Sequence, residues 1–97
     1  VVDFSHEFIY YIIGSKNLGG FQYLGDEIKV PELNFDIPEN FYGTIDMGFI
    51  NSKLALVECH PPFACGWYGS YHEVHIFLQW IIDGWRFLND SKNIKNM

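Results

Sequence analysis

The chain has 97 residues and a formal net charge of −6, and 48% of its residues are hydrophobic, 19% aromatic and 19% charged. This length fits one domain spanning 1–97, and this apolar content excludes an intrinsically disordered chain. The acidic balance argues against nucleic acid and anionic membranes as partners, because both carry negative charge. No apolar run is long enough to cross a bilayer.

The first predicted element is an N-terminal helix over 3–13. Phe4, Phe8 and Tyr11 recur at helical spacing on one face. Gly14 can end the helix, because glycine readily adopts the left-handed conformation of a C-cap. A strand is the alternative, since the run Phe-Ile-Tyr-Tyr-Ile-Ile within this stretch also favours β structure.

Strands are predicted through the middle of the chain, where apolar residues lie between turn residues and proline. Gly25-Asp26 is predicted to turn a first hairpin, and Asn51-Ser52 a second. The predicted strands span 21–24, 27–30, 33–37, 40–50 and 53–59.

The second predicted helix, over 71–89, is apolar nearly all round, so it is either enclosed or presents a second apolar face. Ser70 is a good N-cap, and Glu73 follows three residues later as in a capping box. Gly84 allows a neighbour to approach closely. The main apolar stripe is predicted to consist of Val74, Phe77, Leu78, Ile81, Trp85 and Leu88. Residues 90–97 are predicted to fray.

Together these elements predict the α+β class: an antiparallel sheet of about four to five strands flanked by an N-terminal helix and a long C-terminal helix. The stretch 60–71 is rich in proline and glycine but also aromatic, so part of it should pack. The N terminus lacks the basic and apolar regions of a signal peptide, and we therefore expect a soluble cytoplasmic protein.

An acidic run in the middle of the chain is the main candidate binding site. Only Lys29 and Lys53 oppose seven carboxylates between Asp26 and Glu58. Alternate residues of a strand share a face, so several carboxylates could form one acidic surface beside exposed aromatic side chains such as Phe41. This surface suits a basic protein partner, although a merely solvated face has the same composition. The predicted partner-binding residues are Tyr23, Asp26, Glu27, Glu32, Asp36, Glu39, Tyr42 and Asp46.

Cysteine and histidine residues offer an alternative site for zinc, which prefers four such ligands in tetrahedral geometry. The candidate ligands are Cys59, Cys65, His72 and His75, together with His60. Five residues separate the two cysteines, which is wider than the usual zinc knuckle. Further alternatives are a Cys59–Cys65 disulfide, cysteine catalysis at Cys65, and acid–base chemistry by two histidines with Lys53. We predict no catalytic residue, cofactor or resident metal.

In size, charge and aromatic content the whole chain resembles the immunity proteins that bacteria make against their own secreted toxins, such as those of colicin and contact-dependent inhibition systems. The likeness is one of overall character, and no motif residue carries over from it. It implies a non-enzymatic inhibitor that covers the active surface of a basic toxin, typically a nuclease. The alternatives are a small Cys/His metal-binding or enzymatic domain, and a subunit of a larger assembly that docks the outer face of its helix through Trp80 and Phe87.

Overall fold

The computed structural model describes residues 4–33, 35–62 and 66–95, except for the side chains of 91–95. The elements are β1 (Glu7–Ile13), β2 (Lys16–Leu24), β3 (Tyr42–Ile50), β4 (Lys53–His60) and α1 (Val74–Lys95), with a 3-10 turn, Tyr71–Glu73, directly before α1. The described strands form one antiparallel sheet in the order β2-β1-β3-β4. The predicted α+β class is therefore confirmed.

The predicted N-terminal helix is wrong, because residues 7–13 form β1, a central strand of the sheet. Phe8 and Tyr10 are buried on one side of β1, and Ile9 and Tyr11 on the other. A strand buried on both sides reads as a continuous apolar run, and a run of that kind also contains residues at helical spacing. The apolar residues of 7–13 are therefore buried on both faces of a strand, and they do not form the single stripe of a helix.

One of the two predicted hairpins is confirmed. Asn51 and Ser52 connect β3 to β4 with φ of 50° and 67°, as a type I′ turn requires. The hairpin predicted at Gly25-Asp26 is wrong, because β2 pairs with β1 through a turn that begins at Gly14, whose φ is 58°. The sheet consequently has four strands in the described part of the chain, the lower of the numbers predicted.

Segment 25–41 crosses one side of the sheet, and its described residues, 25–33 and 35–41, form no strand, so the strands predicted at 27–30 and 33–37 are wrong. Four of its apolar residues instead pack on the core of β1 and β3, while Phe35 stays exposed. The Tyr10 hydroxyl donates to the carbonyl oxygen of Pro31 at 2.6 Å. We call this side of the sheet the segment face. The packing residues of the segment are Val30, Leu33, Ile37 and Phe41.

The other side, which we call the helix face, is covered by α1 and by the residues just before it. Trp80 lies at its centre, 1% exposed, and donates from Nε1 to the carbonyl oxygen of Ile12 at 3.0 Å. The ring of Tyr11 contacts four other aromatic rings, which are those of Phe21, Trp67, Phe77 and Trp80. This aromatic cluster fixes the position of α1 on the sheet.

The predicted C-terminal helix is confirmed, although it begins with the 3-10 turn and continues to Lys95. Ser70 makes no side-chain cap, because its hydroxyl donates to the Glu73 carboxylate at 2.9 Å instead. No helix in the described residues has the length and apolar content that a membrane span needs.

The inner face of α1 differs from the predicted apolar stripe. Gly84 is buried against the ring of Tyr42, which leaves no room for a Cβ, and it therefore marks the side that faces the sheet. Trp80 and Phe87 lie on that side and contact the same ring, so the prediction that they form the outer face is wrong. The outer face is nevertheless apolar, and its exposed residues are Leu78, Ile81, Ile82, Trp85 and Leu88.

Candidate functional site

A β-bulge in β4 brings polar side chains together on the helix face. The pairing of β3 with β4 is regular from the turn to Met47 and then shifts by one residue, so that Val57 is the extra residue of β4. Beyond the shift Asp46 pairs with Glu58, and His60 follows two residues later on the same side. Since a one-residue shift moves side chains to the opposite face of a sheet, the bulge is what places Glu58 and His60 beside Asp46.

The imidazole of His60 lies between two carboxylates. Its Nε2 atom is 3.2 Å from Oδ2 of Asp46 and 3.4 Å from Oε2 of Glu58. Asp46 is only 9% exposed, and its Oδ1 atom is buried without a hydrogen-bond partner. The Glu58 side chain is 61% exposed, so the group is open to solvent from that side.

Asp46 and His60 line a small cleft of about 160 Å³ at the end of the helix face that α1 does not cover. Tyr23 and Tyr68 form its aromatic wall, with ring centroids 5.5 Å apart. The hydroxyl of Tyr11 fixes this wall from below, because it donates to the carbonyl oxygen of Gly66 and accepts from the backbone N–H of Tyr68. The remaining lining residues are Ile9, Thr44 and Gly66.

Negative charge is crowded around this cleft. Burial raises the pKa of Asp46 above its ordinary range, an effect that His60 opposes and that Glu58 and Glu7 reinforce. Burial also raises the pKa of Tyr23, and the charges of Asp46 and Glu7 add to that effect. Asp46 and Tyr23 are therefore both harder to ionise here than in water, chiefly because they are buried.

Five of the predicted partner-binding residues lie on the exposed side of segment 25–41: Asp26, Glu27, Glu32, Asp36 and Glu39. Three of these carboxylates, from Glu32, Asp36 and Glu39, line one open cleft of about 570 Å³ that also includes Phe35. The segment therefore presents acidic groups around an exposed aromatic ring.

The other predicted partner-binding residues do not join this surface. Asp46 and Tyr23 lie on the helix face, on the opposite side of the sheet from the segment. Phe41 and Tyr42 are half-buried rather than exposed, because Phe41 packs on the segment face and Tyr42 packs against Trp80. Several of the predicted carboxylates therefore share one surface, whereas Asp46, Tyr23 and Tyr42 lie apart from it, since much of the acidic run lies in an irregular segment rather than on strands.

The cysteine and histidine residues proposed as zinc ligands are not gathered into one site among the described residues. Cys59 pairs with Ile45 in the sheet and so points to the segment face, away from His60. His72 and His75 are exposed at the start of the helical region. Cys65 lies outside the described residues, and with it the disulfide and the cysteine catalysis considered above.

Sequence reasoning placed Asp46 and Glu58 in one acidic run, but it did not join His60 to them. The spacing of Glu58 and His60 by two residues on a strand did indicate a shared side. A regular hairpin turning at Asn51-Ser52, however, would pair Asp46 with residue 57 and leave Glu58 on the opposite side. Only the bulge brings the three together, and no residue type in β4 marks its position.

Among the described residues, Asp46, Glu58 and His60 form the one group of three or more potential metal-ligating side chains whose ligand atoms all lie within 4.8 Å of one another. The chain matches no protein-family model, and the comparisons with curated proteins and with solved structures also give no match.

Proposed function

We propose that this chain is a small acidic inhibitor that binds a basic protein toxin in the cytoplasm, in the manner of bacterial immunity proteins. The observation that carries the proposal is the row of exposed carboxylates on segment 25–41. None of these five side chains forms an ion pair with another described residue, and Lys29 is the only basic residue among them. Their charge is thus available to a partner.

The acidic segment is held on the sheet before any partner arrives. Its apolar residues are packed on the core, and the Tyr10–Pro31 hydrogen bond fixes its middle. A surface that is already ordered loses little conformational entropy on binding, so more of the interaction energy contributes to affinity. An irregular but anchored segment therefore suits a binding role.

The cleft around Phe35 supplies the two kinds of contact that such an interface needs. Glu32, Asp36 and Glu39 would pair with Lys or Arg of the toxin, while the exposed ring of Phe35 would give an apolar anchor. In a basic nuclease the opposing residues are those that hold phosphate, so occupying them would exclude the nucleic-acid substrate. Electrostatic attraction would also speed the encounter of the two proteins.

A pull-down from the source organism with two matched triple variants tests this function. The first, Glu32→Gln/Asp36→Asn/Glu39→Gln, neutralises the cleft of the segment face. The control, Glu73→Gln/Asp83→Asn/Asp90→Asn, changes the net charge equally on the opposite side. We expect a basic protein to be retained by the wild type and by the control but not by the first variant.

The captured protein is then purified, and its association rate with each variant is measured at low and high salt. The first variant should lower the association rate roughly tenfold at low salt, and most of this difference should vanish at high salt. Retention of no basic protein, or equal loss in the two variants, would show that the acidic segment is only a solvated face.

A second function, as a subunit of a larger assembly, is favoured by the exposed apolar outer face of α1. Ile81, Trp85 and Leu88 from this face line a cleft of about 340 Å³. Light scattering over a range of protein concentrations tests this function. Self-association that Trp85→Ala abolishes would support an assembly of identical chains through this face, and a monomer at every concentration would reject that form of it.

A further inference from the structure

We infer that Asp46, Glu58 and His60 bind one divalent transition-metal ion, with zinc as the reference ion, in the cleft beside Tyr23 and Tyr68. This site lies on the helix face, away from the acidic segment on which the proposed function rests. The two proposals are therefore tested by separate measurements, and either can fail without the other.

The spacing of the ligand atoms fits a metal centre. Nitrogen and oxygen ligands lie about 2.1 Å from zinc, so two ligands at a tetrahedral angle are about 3.4 Å apart. His60 Nε2 is 3.2 Å from the Asp46 oxygen and 3.4 Å from the Glu58 oxygen. A hydrogen bond from Nε2 accounts for the contact with Asp46, whereas a metal ion would account for the approach of Glu58 as well.

The buried carboxylate provides an independent observation. The Asp46 side chain is only 12% exposed and lines the cleft, yet its Oδ1 atom is buried and has no hydrogen-bond partner. A buried unpaired carboxylate oxygen is costly unless a cation or a donor compensates it. A metal ion bound through Oδ2, with a water molecule on the ion, would supply both the positive charge and a donor for Oδ1.

The backbone positions all three ligands on regular structure. Asp46 and Glu58 form a cross-strand pair, and His60 follows on the same strand as Glu58. A bulge beside a site commonly serves to redirect a side chain, and here it is needed to bring Glu58 to the correct side. Ligands held on paired strands keep their geometry better than ligands held on loops.

The donor set selects the class of metal. One imidazole with two carboxylates suits zinc, manganese and iron(II), whereas magnesium and calcium prefer oxygen ligands alone. Three protein ligands leave at least one coordination position open, and the cleft beside Tyr23 and Tyr68 provides room for a water molecule there. Entry to the site is from the exposed Glu58 side.

Calorimetric titration of the chelator-treated full chain with zinc chloride tests the site, and native mass spectrometry gives the stoichiometry. We expect one zinc ion per chain, and an affinity that falls roughly tenfold or more in His60→Gln and in Asp46→Asn. His75→Gln is the matched control, because His75 is an exposed histidine outside the cluster. It should bind zinc as the wild type does.

Thermal unfolding and circular dichroism establish that each variant is folded. Glu58→Gln alters a mostly exposed side chain, so it keeps the test valid if the Asp46 or His60 variants do not fold. Zinc should raise the unfolding temperature of the wild type and of His75→Gln, and should raise that of Glu58→Gln less.

Three results would overturn the inference. The first is that the wild type takes up no zinc, and the second is that its zinc binding survives both His60→Gln and Asp46→Asn. The third comes from substituting cobalt(II) for zinc. A thiolate-to-cobalt charge-transfer band would place the ion on cysteine, whereas visible bands without it, lost in His60→Gln, would agree with the nitrogen and oxygen ligands proposed here.

Discussion

The two faces of the sheet are covered by different kinds of chain, and the adjacent residues Tyr10 and Tyr11 make the difference clear. Tyr10 points to the segment face and donates one hydrogen bond to Pro31 of an irregular segment. Tyr11 points to the helix face, where it contacts four aromatic rings and bonds to the backbone of Gly66 and Tyr68. Both side chains are almost fully buried.

The two covering chains differ in how the N–H and C=O groups of their backbones find hydrogen-bond partners. A helix pairs its own N–H and C=O groups, so α1 needs only side-chain contacts with the sheet. Trp80 is the most deeply buried of its described side chains, and Ile76 and Phe77 pack beside it. Among its described residues, segment 25–41 has little such pairing: the N–H of Phe41 donates to the carbonyl oxygen of Pro38, at the end of the segment. The segment is attached mainly by several half-buried residues and by side-chain hydrogen bonds. The helix leaves one end of its face uncovered, where the Asp46 cleft lies. The segment displays its charges on its outer side.

Replacing Trp80 should have the largest effect on stability. Trp80→Ala opens a cavity and leaves the buried carbonyl oxygen of Ile12 without its donor, so we expect the free energy of unfolding to fall by about 3–5 kcal/mol. Trp85→Ala is the control, since Trp85 is 67% exposed on the same helix, and it should change stability by less than about 0.5 kcal/mol. Urea unfolding measures both.

Leu33→Ala extends the same comparison to the segment face. It removes one of several half-buried contacts, so we expect a loss of about 1–2 kcal/mol. If Leu33→Ala proved as costly as Trp80→Ala, the attachment of the segment would be as concentrated in one residue as that of α1 is in Trp80, and the contrast between the two faces would not hold.

Removing the hydroxyls of the two tyrosines should have smaller and unequal effects. Tyr11→Phe takes away the partner of two backbone groups, so we expect a loss of about 2 kcal/mol. Tyr10→Phe removes the donor to one carbonyl oxygen, that of Pro31, so we expect the free energy of unfolding to fall by about 1 kcal/mol. Urea unfolding of both variants checks the order, and a larger loss for Tyr10→Phe would contradict it.

The sequence predicts the parts of the fold that local chemistry determines. The turn at Asn51-Ser52 and the helix after Ser70 follow from turn and helix-start residues, and both are confirmed. The strand β1 could not be distinguished from a helix, because a run that is apolar at every position fits both periods. For the same reason the apolar residues of α1 did not reveal its inner side.

The candidate site depends on features that the sequence does not display. The bulge at Val57 arises from the pairing of β3 with β4, and it decides which side of the sheet Glu58 occupies. Part of segment 25–41 has the alternating pattern of a strand, but the edge of β1 to which it could pair is occupied by β2. The acidic residues could therefore be named from the sequence, whereas their division between two faces could not.

Alkaline pH should weaken the segment face through Tyr10. Burial raises the pKa of Tyr10 from 10.0 to about 12, so the unfolded chain loses this proton first and stability falls as the pH rises through that range. We expect the wild type to lose about 1 kcal/mol more than Tyr10→Phe between pH 10 and pH 11. Tyr23 titrates in both proteins, so the difference in urea midpoints isolates Tyr10. Parallel pH profiles would contradict the assignment.

The smallest effects are expected from replacing two glutamines. Gln22 contacts the segment, and Gln79 lies on α1. The Gln22 amide donates to the carbonyl oxygens of Leu24, Gly25 and Asp26, and its oxygen accepts from the N–H of Ile28. The Gln22 side chain thus supplies hydrogen-bond partners to the backbone of the segment, which a neighbouring strand would otherwise supply. Gln22→Ala should cost about 1 kcal/mol and speed hydrogen exchange at the Ile28 amide.

Gln79 is the matched residue on α1, where its amide donates only to the side chain of Asp83 at 2.8 Å. Gln79→Ala should cost less than about 0.5 kcal/mol and leave the exchange of helix amides unchanged, because the helix pairs its own backbone. Equal effects of the two substitutions would mean that the first turn of the segment does not depend on Gln22. A selective effect at Ile28 would show that an irregular covering chain needs side chains where a helix needs none.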